Sequence, residues 1–218
     1  MTGRRYIAGL LAWIGLWGLA FGVSALLARA GRHGTAAGFW IIVARDAVFA
    51  AASLFAWRTA CRPVVSALAA PRRFEWPLLA FAALLTAAYL DAVHRTRPRA
   101  VDSGMIFALR RYELPVRIFT FVCFQQAAVT LLLLDWNRLW LSERRAIALT
   151  TALFSLSHLG AVTFHMSPLQ ALLLTVLSGA AMAAWGYLRL AAGAAWTPWL
   201  THYLFYIALS LRFARQPL

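Results

Sequence analysis

The sequence predicts an all-α, polytopic bundle of transmembrane helices. Of its 218 residues, 62% are hydrophobic and only 13% are charged, and the mean hydropathy is +0.70. Water therefore cannot solvate most of the surface. A helix needs about 20 mostly apolar residues to cross about 30 Å of hydrocarbon. About seven stretches meet this need, namely residues 6–28, 38–57, 74–93, 113–134, 146–164, 168–192 and 196–213.

Local signals support the ends of these windows. The first window follows Arg4 and Arg5. It exceeds the roughly 7 to 15 residues of a signal-peptide core, so we predict a retained helix. Pro77 and Pro115 lie in the first turns of the third and fourth windows, and Pro168 begins the sixth. A missing N–H is tolerated at such positions. Because the fifth and seventh windows are short, six or eight spans also fit the pattern.

The charge of the chain is strongly positive but does not indicate a nucleic-acid partner. The net charge is +14, and all 21 basic residues are arginines. Most of them lie between the apolar windows, where basic residues set membrane topology and contact anionic lipid headgroups. The arginines fall almost equally on the two sides, so the orientation stays undecided. We predict lipid contacts and no nucleic acid.

Polar residues inside the windows locate any interior chemistry, because hydrocarbon offers them no partners. Gln125, His158 and His202 each lie well inside a different window, so neighbouring helices would bring them together. Structural roles stay open: glutamine often makes interhelical hydrogen bonds, and a histidine can be a satisfied core residue. Arg45 and Asp46 point about 100° apart on a helix. We expect them not to pair with each other, but one or both to bind another helix.

Two motifs in the second half of the chain resemble a known family. The stretch FSLSHLG at residues 154–160 spaces Phe154 and His158 as F-x-x-x-H, and His202 is followed four residues later by Tyr206. Between them lie a glycine-containing helix, a small-residue loop and a Trp-Thr-Pro entry. Residues 113–213 thus resemble the CPBP family (CAAX proteases and bacteriocin-processing proteins, also called Abi), which are intramembrane glutamic endopeptidases.

The resemblance implies a site built from three motifs, E-E-x-x-x-R, F-x-x-x-H and H-x-x-x-N/D. Gln125 and Gln126 then occupy the two glutamate positions, Thr130 the arginine position and Tyr206 the last position. Phe154, His158 and His202 match the family. The resemblance also implies a division into a variable three-span region, residues 1–112, and a four-span CPBP-like core, residues 113–218.

The substitutions change the chemistry that the resemblance implies. In the family, the first glutamate activates a water molecule for attack on a peptide carbonyl, whereas a glutamine amide can orient water but cannot deprotonate it. Losing a general base typically lowers a rate by about 10² to 10⁴. A neutral His158 is the candidate for a substitute base, and the Tyr206 hydroxyl can still donate a hydrogen bond.

These observations lead to one main hypothesis and two alternatives. The main hypothesis is an integral protein of the bacterial inner membrane that binds a membrane-anchored protein or peptide at Gln125, Gln126, His158, His202 and Tyr206, with Phe154 and Thr130 in support and proteolysis lost or weakened. The first alternative is an active endopeptidase with His158 as base. The second is a haem protein with His158 and His202 as axial ligands. The main hypothesis needs no cofactor, and two histidines without a third ligand do not indicate zinc.

Overall fold

The computed structural model describes residues 2–31, 36–61, 75–96, 114–159, 167–192 and 196–214, which are helical and contain no strand. The helices are α1 (Thr2–Arg29), α2 (Ala36–Ala60), α3 (Glu75–Thr96), α4 (Leu114–Gln125), a π-helical segment (Gln126–Leu133), α5 (Leu134–Arg138), α6 (Glu143–Ser157), α7 (Pro168–Ala192) and α8 (Trp196–Ala214). The boundary predicted between residues 112 and 113 lies outside the described residues.

Five of the described helical stretches are long and apolar enough to cross a membrane, which makes the chain an integral membrane protein by helix length and composition. They are Gly3–Leu27, Ala37–Ala60, Trp76–Arg95, Leu114–Arg138 and Pro168–Ala191. The predicted windows at 146–164 and 196–213 correspond to α6 and α8, which do not meet the same test. The predicted helical membrane fold is therefore confirmed, whereas the count of seven spans is not.

The helix at the centre of the bundle is formed by α4, the π-helical segment and α5, which run on without a break. In an apolar 18-residue stretch of this central helix (Leu114–Arg138), 72% of the residues are buried, against 17% to 33% in the equivalent stretches of the other four spans. Ala127 and Ala128 lie at its middle and are fully buried, and such small side chains allow neighbouring helices to approach closely. The central helix therefore exposes little surface to lipid.

Helices α1, α2, α6, α7 and α8 pack against the central helix. Phe49 of α2 contacts Phe124 with ring centroids 5.7 Å apart, and Trp57 of α2 donates a 2.9 Å hydrogen bond to Asp135. Both residue numbers increase from the first pair to the second, so α2 runs parallel to the central helix. The strongest packing of α3 is against α8.

The π-helical segment changes which backbone groups are paired within the helix and which can bond to other side chains. Leu134 N–H donates to the carbonyl of Val129, five residues earlier, and π-helical turns of this kind are frequent at functional sites. Within the segment, the carbonyl of Ala128 accepts a 2.8 Å hydrogen bond from the Trp13 indole. Trp13 stacks on Trp17, and Trp17 stacks on Phe124. This aromatic column joins α1 to the central helix.

One end of the bundle is closed by a buried ionic cluster around Asp135. Its carboxylate accepts hydrogen bonds of 3.0 Å from both Arg138 and Arg189, in addition to that from Trp57. Asp135 and Arg189 are both almost completely buried. The predicted fourth window stops at residue 134, so sequence reasoning missed this carboxylate, and it treated Arg189 only as a topology signal.

Replacing Asp135 by alanine is expected to destabilise the protein by about 3 to 5 kcal/mol, because it leaves the buried Arg189 without its counter-charge. The free energy of unfolding can be measured by titrating the protein from mild micelles into sodium dodecyl sulfate while following tryptophan fluorescence. Asp91→Ala is the matched control. Asp91 also pairs with an arginine, but both side chains of that pair are more than half exposed, so its loss is expected to cost at most about 0.5 kcal/mol. Equal effects of the two changes would contradict the assigned role of Asp135.

Candidate functional site

The central feature of the candidate site is a chain of three buried side chains from the central helix and α8. Gln126 is the first residue of the π-helical segment, and its Nε2 lies 2.9 Å from His202 Nδ1. Thr130, one turn later, donates a hydrogen bond to Gln126 Oε1. All three residues are at most 5% exposed. The structure therefore brings together the positions that the resemblance assigns to the second glutamate, the arginine and the third-motif histidine.

The direction of these hydrogen bonds defines which ring nitrogen of His202 carries the proton. Because Thr130 donates to the amide oxygen, the amide NH₂ group faces the imidazole. Nδ1 of His202 must then be the acceptor, which leaves the proton of the neutral ring on Nε2. His202 can therefore offer an N–H donor to a ligand.

His158 carries its proton on the other nitrogen. It lies at the C-cap of α6, and its Nδ1 is 2.8 Å from the carbonyl oxygen of Phe154. A carbonyl only accepts, so Nδ1 carries the proton and Nε2 of the neutral ring is an acceptor. His158 lies close enough to His202 for the charge of one imidazole to act on the other. The two histidines thus present opposite hydrogen-bonding groups in one region.

Aromatic rings enclose the two imidazoles. Trp185 lies over His202 with ring centroids 3.8 Å apart, and Tyr206 lies on another side at 4.8 Å. Phe154 is buried and contacts the His158 ring edge-to-face at 4.6 Å. These contacts leave the imidazoles little freedom to rotate, so their polar atoms are held in position.

Gln125 does not take part in the hydrogen bond to His202. It is 4% exposed, and its Oε1 has no hydrogen-bond partner among the described residues. Adjacent residues on a helix point about 100° apart, so the two glutamines cannot share one partner in the same way. Gln126, rather than Gln125, is the glutamine that the structure bonds to a histidine.

The prediction that Arg45 and Asp46 do not pair was wrong. Arg45 Nη2 and Nε lie 2.5 Å and 2.9 Å from Asp46 Oδ1. The Cβ atoms point apart, but the arginine side chain is long enough to fold back over its neighbour. The second part of the expectation holds, since Arg45 also donates to Ser24 and to the carbonyl of Ala20 on α1.

The described residues contain no group of three or more His, Cys, Asp or Glu side chains that could hold a metal ion. The side chains that meet at the candidate site are an amide, a hydroxyl and two imidazoles. This set can orient a polar group through hydrogen bonds. Its strongest base is a neutral imidazole.

Comparison with known proteins adds no assignment: no family model matches the chain, and neither does any curated protein or solved structure.

Histidine NMR of the isotope-labelled protein in micelles is expected to show opposite tautomers for the two site histidines, with the proton on Nδ1 in His158 and on Nε2 in His202. His158→Ala and His202→Ala assign the signals among the five histidines. Gln126→Ala is expected to alter the nitrogen shifts of His202 and to leave those of His158 in place. The same tautomer in both rings would contradict the described hydrogen-bond chain.

Proposed function

We propose that this chain is a divergent CPBP-like membrane protein that binds a peptide segment of a membrane-anchored protein without hydrolysing it. The observation that carries this proposal is the hydrogen bond between Gln126 and His202. It joins two positions that the resemblance assigns to separate motifs, and it does so with an amide where the family has a carboxylate.

The absence of hydrolysis follows from the chemistry of the amide. The oxygen of Gln126 accepts from Thr130 and its NH₂ group faces His202, so both polar ends of the side chain are engaged in holding the site together. An amide nitrogen or oxygen also has no useful basicity near neutral pH. Gln126 therefore stabilises the site. Gln125 stands where the resemblance places the water-activating glutamate, and its amide can orient water but cannot deprotonate it.

Binding of a peptide follows from the two imidazoles. A peptide group has one N–H donor and one C=O acceptor. His158 Nε2 can accept from such a donor and His202 Nε2–H can donate to such an acceptor. Tyr206 and Trp185 add aromatic surface beside these groups, which suits the apolar side chains of a membrane anchor.

A second candidate is an active endopeptidase in which His158 is the general base. The unprotonated Nε2 of His158 favours it, since that atom could take a proton from water. If this candidate is correct, His158→Ala abolishes turnover and Gln125→Ala retains much of it. A bis-histidine haem site is less favoured, because ligation needs an unprotonated nitrogen facing the iron and the Gln126 bond keeps the proton of His202 on Nε2. A purified sample without a Soret band would exclude haem.

Photo-crosslinking tests the binding function. With p-benzoylphenylalanine in place of Tyr206, we expect crosslinks to a defined polypeptide in native membranes, and about tenfold fewer when Gln126→Ala removes the hydrogen bond that holds His202. The same probe in place of Phe205 is the matched control, because Phe205 is the preceding residue on α8 and is 59% exposed. Equal yields at the two positions, or no effect of Gln126→Ala, would contradict the proposal.

A cleavage assay in proteoliposomes tests the lack of hydrolysis. We expect the wild-type protein to cleave membrane-anchored peptides no faster than His158→Ala. The double variant Gln125→Glu/Gln126→Glu restores two carboxylates, and a rise of about 10² to 10⁴ in rate would show that the general base alone was missing. Robust wild-type turnover that disappears in His158→Ala would establish the second candidate instead.

A further inference from the structure

A second polar cluster lies between α2 and the central helix, away from the glutamine and histidine site. It contains Arg45 and Asp46 of α2 and Arg117 of α4. Asp46 is completely buried and Arg117 is 4% exposed. They lie on α2 and α4, which pack extensively against each other, and the charges of Asp46 and Arg45 both act on Arg117. Three ionic side chains therefore share one region of two membrane-spanning helices.

The cluster has more positive than negative charge. Asp46 is its single carboxylate, and the two hydrogen bonds that it accepts from Arg45 both go to Oδ1. Oδ2 has no hydrogen-bond partner among the described residues. The Arg117 guanidinium forms no hydrogen bond or ion pair with a described residue, although it is buried. One carboxylate thus faces two guanidinium groups, and a buried charge without a partner is costly.

The cluster lies beside an exposed apolar face of α2. Ile41 and Val48 lie one turn before and one turn after Arg45 on the same helix face, and they are 41% and 65% exposed. The Arg45 side chain itself is 10% exposed. Helical side chains lean toward the N-terminus of their helix. Because α2 runs parallel to the central helix, Arg45 and Arg117 lean toward the same membrane face.

We infer that Arg45 and Arg117 form a binding site for the oxyanion of an anionic amphiphile, with a phosphodiester lipid headgroup as the occupant. Guanidinium groups bind phosphate through paired hydrogen bonds. Arg117 supplies these bonds because all its donors are free of described partners, whereas Arg45 already donates to Asp46, Ala20 and Ser24 and contributes chiefly its charge. The anion balances the second positive charge, and the acyl chains of the lipid lie along Ile41 and Val48. Basic pockets between transmembrane helices bind lipid headgroups in this manner.

The experiment measures which lipids stay bound to the purified full chain. The protein is extracted from vesicles of phosphatidylglycerol and phosphatidylcholine, delipidated stepwise, and weighed by native mass spectrometry. We expect wild-type protein to retain phosphatidylglycerol preferentially and Arg117→Gln to lower its occupancy about tenfold, the effect of losing a charged hydrogen-bond partner. Arg144→Gln is the matched control. It removes the same charge from an exposed residue of α6.

Two results would overturn the inference. The first is full phosphatidylglycerol retention by Arg117→Gln, which would mean that the Arg117 side chain does not bind the headgroup. The second is equal loss in Arg117→Gln and Arg144→Gln, which would mean general charge attraction. Asp46→Asn provides a test in the opposite direction. It removes the competing carboxylate and is expected to increase phosphatidylglycerol retention, whereas a purely structural ion pair predicts no increase.

A second measurement distinguishes the source of the oxyanion. Inorganic phosphate is added to the protein in zwitterionic micelles, and thermal unfolding is followed. We expect phosphatidylglycerol to raise the unfolding temperature of the wild type and not of Arg117→Gln, and inorganic phosphate to have little effect. Stabilisation by inorganic phosphate that equals that by lipid would overturn the assignment to a lipid headgroup.

Discussion

Burial of the central helix (Leu114–Arg138) is the constraint on which the rest of the structure depends. Most residues of this span are enclosed by other helices, although it carries several polar side chains. Neither acyl chains nor bulk water can satisfy groups inside the bundle, so each needs a partner on a neighbouring helix or a bound ligand. The polar residues of this helix therefore help to determine which helices pack against it and at what register, as its apolar residues also do.

Three levels of polar contact result along this helix. Asp135 joins it to α2 and α7 at one end through Trp57 and Arg189. Gln126 joins it to α8 at the middle. Arg117 faces the charged pair of α2 at the other end. The first level is closed by ionic pairs, and the second by neutral hydrogen bonds. The third keeps an excess positive charge, which is why we assign it a ligand.

Much of the fold was predictable from residue patterns, whereas the pairing of side chains was only partly so. Long apolar windows located the helices, because the need for about 20 apolar residues acts on each helix separately. Gln126 and His202 were recognisable as site candidates because polar groups are rare inside such windows, whereas Thr130 was named only through the family resemblance. The bond that selects Gln126 over Gln125 was not predictable, since a π-helical segment begins there and alters the local direction of side chains.

The sequence by itself determined that the chain is helical and belongs in a membrane, since the apolar composition and the length of its hydrophobic windows suit hydrocarbon and not water. It also singled out the glutamines and histidines. Only the tertiary structure decided the partners: that Arg45 folds onto Asp46, and that Asp135 is buried against Arg189. Such contacts join residues that are adjacent or more than fifty positions apart in the chain. They depend on side-chain reach and on helix packing, which a linear pattern of apolar and polar residues does not contain.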